Sequence, residues 1–349
     1  RRMALVVSTP DMGAIAALAD DVAVMRAGIV VEQGPVTSVL TAPTSEYTRV
    51  LLAATPRLDA PAPVPEAKAA STLEVRDLSV HYNLRAATFR RSPTARAVDG
   101  VSFDVFSGEA LGLVGESGCG KSTLARALLR LEPVASGRIV WMGREIQSLG
   151  GEQLRRLRAG LQLVFQDPVA SLDPTQSVAD IVEEPLRALE PGLDAKARAP
   201  RVQAMLERVG LGSGFAARRA RELSGGQRQR VAIARAMILD PALLVCDEAV
   251  SSLDVSIQAQ ILELLGNLKR EQGTSIVFVS HNLAVVRQLC ERVLVMYLGR
   301  VIESGPTGEV FRAPRHPYTR MLLDSVPLPD PARERARLAA LAAGGEIPS

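Results

Sequence analysis

The 349 residues suffice for one large domain or two ordinary ones, and a hydrophobic content of 47% excludes a disordered chain. Acids and bases nearly balance at a formal net charge of +3 with no long basic run, so charge gives no reason to expect a nucleic-acid partner. No apolar run approaches the roughly 18 residues of a membrane span, and the scattered Cys119, Cys246 and Cys290 fit a reduced compartment better than a disulfide framework.

In chain order, Ala4 to Val7 reads as an apolar strand, and the sequence is expected to open mid-domain, because residues 4–56 align without gaps on residues 275–327. Val22-Ala23-Val24-Met25 lies over Val293-Leu294-Val295-Met296, and Glu32-Gln33-Gly34-Pro35 over Glu303-Ser304-Gly305-Pro306. Tyr47-Thr48-Arg49 lies over Tyr318-Thr319-Arg320. Residues 1–56 therefore read as the end of a first domain whose second copy is complete over 72–327. Between them, 57–71 is a Pro/Ala-rich linker with Pro61, Pro63 and Pro65, expected to be an extended, semi-rigid tether.

The second domain opens with an alternating strand, Leu73 to Val80, ending at His81-Tyr82. An insertion, Asn83 to Ala97, follows with Arg85, Arg90, Arg91 and Arg96 around Phe89. It could meet acidic lipid headgroups or a partner, although a solvated loop is the favoured reading. Ala110 to Val114 reads as a buried strand and Ser122 to Leu131 as a helix. Gly137 to Trp141 and Leu161 to Phe165 are further strands around an Arg-rich helical segment, Gly151 to Gly160. From about 171 to 222 the pattern is a helical subdomain, Val178 to Leu189 and Ala195 to Val209, broken by Pro185, Pro191 and Pro200. Strands at Ala242 to Cys246 and Ser275 to Val279, with a helix Ile257 to Lys269 between them, give the alternation of a parallel sheet.

Between the strand Ala110–Val114 and its helix stands Gly115-Glu116-Ser117-Gly118-Cys119-Gly120-Lys121-Ser122-Thr123, which fits G-x-x-x-x-G-K-[ST] in the strand-to-helix setting that a phosphate loop needs. Glycines let backbone N–H groups curl round an anion at a helix N-terminus. Lys121 can reach the β- and γ-phosphates and Ser122 can ligate Mg²⁺. Asp247 and Glu248 close another buried strand. Alone they read as a polar turn; beside a phosphate loop, one can hold Mg²⁺ and the other can take a proton from an attacking water.

Leu223-Ser224-Gly225-Gly226-Gln227, followed by Arg228-Gln229-Arg230-Val231-Ala232, resembles the signature of ABC-type ATPases. Gln166, the Asp247-Glu248 pair, Ser251-Ser252-Leu253-Asp254 and His281 follow in that family's order, as its Q-loop, catalytic pair, D-loop and switch histidine. The resemblance covers 72–327 in full and 4–56 as the tail of a second copy. It implies a P-loop NTPase fold of class α/β, with a parallel-sheet core, an N-terminal antiparallel β-subdomain and an inserted helical subdomain. It also implies that ATP and Mg²⁺ bind, with Ser122, Gln166 and Asp247 around the metal, Glu248 as base, His281 at the γ-phosphate and Tyr82 stacked on adenine. Taken singly, a Tyr after a strand is more often packing, a His more often surface and a Gln a mere cap; their joint order carries the functional reading. Cys119 reads as a small residue tolerated in the loop.

Two such domains close head to tail in this family, so each phosphate loop needs the other domain's signature. Phe165-Gln166-Asp167-Pro168, the insertion after Tyr82 and His316-Pro317-Tyr318-Thr319 are similar to oligopeptide/dipeptide-type importer ATPases, of which fused tandem versions exist. That resemblance implies membrane permease subunits, a periplasmic or extracellular solute-binding protein and a second nucleotide-binding domain as partners, with no nucleic acid. It places the protein peripherally on the cytoplasmic face of the plasma membrane. Residues 328–349 read as a cut-short tail, with no iron–sulfur ligand set. A non-transport ABC ATPase, acting in translation or DNA repair, is the alternative. One departure stands out: the repeat puts Pro10 where the second copy has His281, and proline offers neither a ring nitrogen nor a backbone donor, so a site built on the first copy is expected to hydrolyse poorly.

Overall fold

The computed structural model describes residues 3–65, 70–83 and 94–342. At the front, Asp11 caps α1 (Met12–Leu18), its carboxylate accepting the N–H groups of Gly13 and Ala14. Strands β1 (Asp21–Arg26) and β2 (Ile29–Pro35) pair antiparallel through a turn at Ala27 and Gly28, both at positive φ. Helices α2 (Val36–Thr41) and α3 (Glu46–Ala54) follow, and Met12, Ala16, Val36 and Leu40 form a small separate core. Ala4 to Val7 is not the strand its composition predicts. The segment has no regular structure and Val6 is 95% exposed. An apolar run becomes a strand only when a neighbour takes its N–H and C=O groups, and among the described residues no strand pairs with this one.

The described segment after Pro56 turns at Leu58 to Ala60 and is docked on the rest of the chain. Leu58 packs on the main core and the Arg287 guanidinium donates to the Ala60 carbonyl. Next, β3 (Ser71–Asn83) pairs antiparallel with β4 (Thr94–Phe106), running one residue past the expected end at His81-Tyr82. Of the insertion, residues 84–93 lie outside the described residues, as does Gly345 to Ser349. Strand β5 (Ala110–Val114) feeds α4 (Lys121–Leu128), which stops short of the expected Leu131 because Arg130 turns to a left-handed φ of 51°. Strands β6 (Ser136–Trp141) and β7 (Arg144–Glu145) complete a four-stranded antiparallel sheet in the order β4-β3-β6-β7.

Helix α5 (Gly151–Gly160) leads to β8 (Leu161–Val164), then to α6 (Pro168–Ser171), α7 (Val178–Leu189) and α8 (Ala195–Arg208). Pro185 and Pro200 lie inside α7 and α8 and do not break them. Each removes one backbone hydrogen bond, but Val178, Ile181, Val182 and Leu186 are buried on both sides of the gap in α7, and Val202, Met205 and Leu206 anchor α8 beyond Pro200.

Helix α9 (Gly225–Met237) returns the chain to the sheet through β9 (Leu243–Asp247), α10 (Val255–Gln272), β10 (Ser275–Val279), α11 (Leu283–Leu289), β11 (Arg292–Tyr297) and β12 (Arg300–Pro306). The six-stranded sheet has the order β12-β11-β5-β10-β9-β8, parallel except for β12 at one edge. Every residue of β5, β9 and β10 is buried, as a sheet covered on both faces requires. Helices α12 (Thr307–Arg312), α13 (Pro317–Asp324) and α14 (Pro331–Ala342) finish the described chain. α14 packs on α1, with Arg335 donating to the Ala19 carbonyl at 2.6 Å, and in the segment leading into α14 Pro327 lies 2.6 Å from where a Cβ on Gly13 would stand. Among the described residues no helix is long and apolar enough to cross a membrane.

Candidate nucleotide site

At the C-terminal end of β5, in the middle of the sheet, the chain turns through 115–120 into α4. The loop is hemmed in on both flanks: a Cβ on Gly115 would fall 2.2 Å from the Met296 carbonyl, and one on Gly120 would fall 2.0 Å from the Ala97 carbonyl. Both glycines also have left-handed φ, 150° and 105°, so side chains are excluded there twice over. Gly118 is left-handed as well, with open space beside it. Lys121, 4% exposed, folds its ammonium back to donate to the carbonyls of Gly115 (2.7 Å) and Glu116 (2.8 Å). Cys119 is buried, and that burial pushes its thiol up, so packing rather than reactivity describes it.

Parallel pairing of β9 with β10, and of β10 with β5, delivers the acidic pair to the same end of the sheet. Ser122 Oγ donates to Asp247 Oδ1 at 2.8 Å. Asp247 is 1% exposed, and this burial raises its carboxyl above the usual range, against the pull of the Ser122 hydroxyl and Arg126. A buried carboxylate and a hydroxyl at the start of a helix make an all-oxygen donor set that suits a small hard cation.

Glu248 sits at a left-handed φ of 48° with its N–H donated to the Val279 carbonyl, a backbone rarely adopted by a side-chain-bearing residue. Its two carboxylate oxygens face different partners. Gln166 Nε2, just past β8, donates to Oε2 at 3.0 Å, and His281 Nδ1, just past β10, lies 3.4 Å from Oε1. Three residues from three separate strand ends thus meet at one carboxylate. The Tyr82 hydroxyl lies 3.5 Å from Thr123 Oγ1, which brings its half-exposed ring to the first turn of α4.

The signature residues lie apart from this constellation. Leu223 is buried, and Ser224 caps α9 in a capping box with Gln227: Ser224 N–H donates to Gln227 Oε1 at 3.0 Å, and Gln227 N–H to Ser224 Oγ at 3.4 Å. Gly225 begins the helix, and at Gly226 a Cβ would fall 2.5 Å from the Ile257 side chain, so the glycine seats α9 against α10. Asp254 caps α10 by accepting from Ile257 N–H at 3.0 Å and Ser256 Oγ at 2.7 Å. Phosphate-loop residues Ser117 and Glu116 are exposed. One contact has no signal in the sequence as a site residue: the Glu116 N–H donates to the Tyr318 hydroxyl at 3.1 Å, from 202 positions away.

The chain is similar to known families, proteins and solved structures. The family described as ABC transporter matches residues 98–251, and the family described as Oligopeptide/dipeptide transporter, C-terminal region, matches 31–79 and 302–345. The oligopeptide transport ATP-binding protein OppF of Salmonella typhimurium is 47% identical over 280 residues, 79% of this chain and 84% of that protein. The glutathione import ATP-binding protein GsiA of Escherichia coli (strain K12) is 46% identical over 360 residues, 95% of this chain. The chain spans 57% of that relative's length. A solved dimeric ATP-binding cassette in a post-hydrolysis state, bound to ADP and Pi, superposes with a TM-score of 0.61 at 27% identity, covering 67% of this chain and 98% of that one. The cbiO1 protein of Clostridium perfringens, part of the ABC transporter complex cbiONQ, gives 0.60 at 29% identity, covering 70% and 91%.

A parallel sheet whose phosphate loop, acidic pair, glutamine and histidine converge, with a glycine-rich signature helix to one side, defines an ATP-binding cassette. The chain belongs to the ABC transporter family of ATP-binding proteins, and to its oligopeptide/dipeptide branch.

Proposed function

We propose that this chain binds MgATP at Gly115 to Thr123 and hydrolyses it to power import of a peptide or peptide-like solute through a membrane permease. The observation that carries the reading is the meeting of Gln166 and His281 on the two oxygens of Glu248, beside the Ser122–Asp247 pair. Ser122 and Asp247, with Gln166 nearby, would hold Mg²⁺, which neutralises phosphate charge when bound. Glu248 accepts the proton as a water oxygen bonds to the γ-phosphorus and the bond to the ADP oxygen breaks. Gln166 and His281 fix the carboxylate so that little reorganisation is needed. Lys121 exchanges its two carbonyl partners for phosphate oxygens. The Tyr82 ring offers adenine an apolar face.

The signature carries the second half of the reading. Ser224 is exposed at the N-terminus of a 13-residue helix, an end suited to an anion, and it serves a phosphate loop other than its own. The partner is a second nucleotide-binding domain. Residues 4–56 repeat the closing part of such a domain. A site completed by that domain lacks a switch histidine at Pro10, so the site on Lys121 and Glu248 performs most of the turnover. The assembly docks peripherally at the cytoplasmic face of the membrane on permease subunits served by a solute-binding protein. The resemblance of the whole chain to named import ATP-binding proteins favours this over a role in translation or DNA repair.

Glu248→Gln should keep nucleotide binding and lower turnover by at least about 10²-fold. Hydrolysis within a few-fold of the unaltered chain would refute the assignment. Alone, the chain should bind ATP yet turn it over slowly, with specific activity rising with protein concentration; fast, concentration-independent hydrolysis would contradict a site shared between two domains. Copurification of permease subunits supports import, and ribosomes or DNA in their place would overturn it.

A further inference from the structure

The phosphate loop is braced from the C-terminal extension, and the brace ends on one hydroxyl. Glu303, in β12, accepts the backbone N–H groups of Arg315 (2.8 Å) and His316 (3.1 Å), which fixes the chain entering α13. His316 Nδ1 then accepts the N–H of Tyr318 at 3.1 Å and caps that helix. Tyr318 is 7% exposed, its ring 4.3 Å from that of Tyr297 at the end of β11. The Tyr318 hydroxyl accepts the N–H of Glu116, while the Glu116 carbonyl accepts from Lys121 Nζ and from the Cys119 N–H at 3.3 Å. Both backbone groups of Glu116 are thereby committed, the N–H to α13, 202 residues further along the chain. A second tie runs alongside, from the Gly299 N–H to the Cys119 carbonyl at 3.0 Å.

We infer that Tyr318 is a positioning residue for nucleotide binding: its hydroxyl holds the start of the phosphate loop in the conformation that receives the phosphates. A loop that must present several backbone donors to an anion binds more tightly when its conformation is set beforehand, because less ordering is left for the ligand to impose. The Glu116 N–H is already occupied by Tyr318, so it holds the loop in place instead of pointing at phosphate. The buried Tyr318 ring, tilted against the exposed Tyr297 ring, keeps the hydroxyl in place. Burial also pushes the Tyr318 phenol up, so it stays a neutral hydroxyl.

The inference rests on nucleotide binding at this loop, and the test separates the two. Fluorescent MgADP is titrated into the unaltered chain, Tyr318→Phe, Tyr297→Phe, Glu116→Pro and the Glu116→Pro/Tyr318→Phe double variant, with thermal unfolding measured on each. Tyr318→Phe keeps the ring and should weaken binding about three- to tenfold, the scale of one hydrogen bond, with the unfolding midpoint of the nucleotide-free chain lowered by no more than about 2–4 °C. Tyr297→Phe should bind as the unaltered chain does. Glu116→Pro deletes the donor, so in that background Tyr318→Phe should add nothing. Equal affinity for Tyr318→Phe and the unaltered chain overturns the inference, as does an undiminished effect in the Glu116→Pro background. No binding by the unaltered chain would instead overturn the site itself.

Discussion

Residues 4–56 and 275–327 are the same segment met twice, once with neighbours and once without. Locally they coincide. α1 and α11 begin at the same aligned position, capped by Asp11 and Asn282, each accepting two backbone N–H groups. β1–β2 and β11–β12 carry the same irregularity in register, at Val24/Met25 and Val295/Met296, and the same left-handed pair in the turn, Ala27-Gly28 and Leu298-Gly299. Glu32 gathers the N–H groups of Thr44 and Ser45 as Glu303 gathers those of Arg315 and His316. Their surroundings differ. Met296 is fully buried against β5 and the phosphate loop, whereas Met25 at the same register is 58% exposed. A Cβ on Gly299 would stand 3.1 Å from the Ala97 carbonyl, whereas one on Gly28 would meet nothing within 4 Å. Caps, turns and bulges therefore follow from the segment itself, whereas strand formation at Ser275 to Val279 and its failure at Ala4 to Val7 follow from what stands on either side.

The largest effect expected concerns what holds the first segment in place. Glu334 and Arg337 of α14 form a buried bidentate pair, at 2.8 and 2.5 Å, under the helix on which α1 rests. Arg337→Met leaves the buried Glu334 carboxylate with only the Leu328 N–H and no counter-charge, and should cost about 3–5 kcal/mol. Denaturant unfolding should show the loss, and hydrogen exchange should show α1 and α14 opening together. Burial alone would raise the Glu334 carboxyl, but the Arg337 guanidinium and the Leu328 N–H hold it below its ordinary value of 4.5. Its contribution is therefore complete above about pH 4.5 and is lost as the pH falls through the lower folded value, so α1 and α14 should loosen first on acidification. Protection of both helices retained to the pH of global unfolding would break this link.

Met296→Ala should destabilise the chain by about 2–5 kcal/mol, because it empties a space filled from all sides. Met25→Ala should change stability by less than about 0.5 kcal/mol. Equal effects in urea titrations would show that the first hairpin is buried in solution after all. The finest comparison uses the caps. Asp11→Ala and Asn282→Ala should each weaken their helix by about 1 kcal/mol, the first read as faster exchange in α1 alone and the second as a drop in global stability. A global loss from Asp11→Ala would erase the distinction between the copies.

Much of the site is legible from residue order. Lys121, Ser122, Asp247 and Glu248 stand where a strand ends and glycine or acid follows, and parallel pairing leaves strand ends on one side of the sheet. Pattern alone misplaced Ala4 to Val7 and overrated Pro185 and Pro200, because neighbours supply or replace backbone hydrogen bonds that a sequence window does not contain. Tyr318 belonged to a visible motif, His316-Pro317-Tyr318-Thr319, yet nothing in the spelling links it to Glu116.

By itself the sequence determined the class of fold, the phosphate loop, the order of the catalytic candidates and the repeat, since these rest on local chemistry: left-handed glycines, helix caps and runs of apolar residues. Only the tertiary structure decided which apolar run becomes a strand, which partners flank Glu248 and that the C-terminal extension reaches the phosphate loop. Those outcomes depend on contacts between residues far apart in the chain, whose formation requires the whole sheet to assemble.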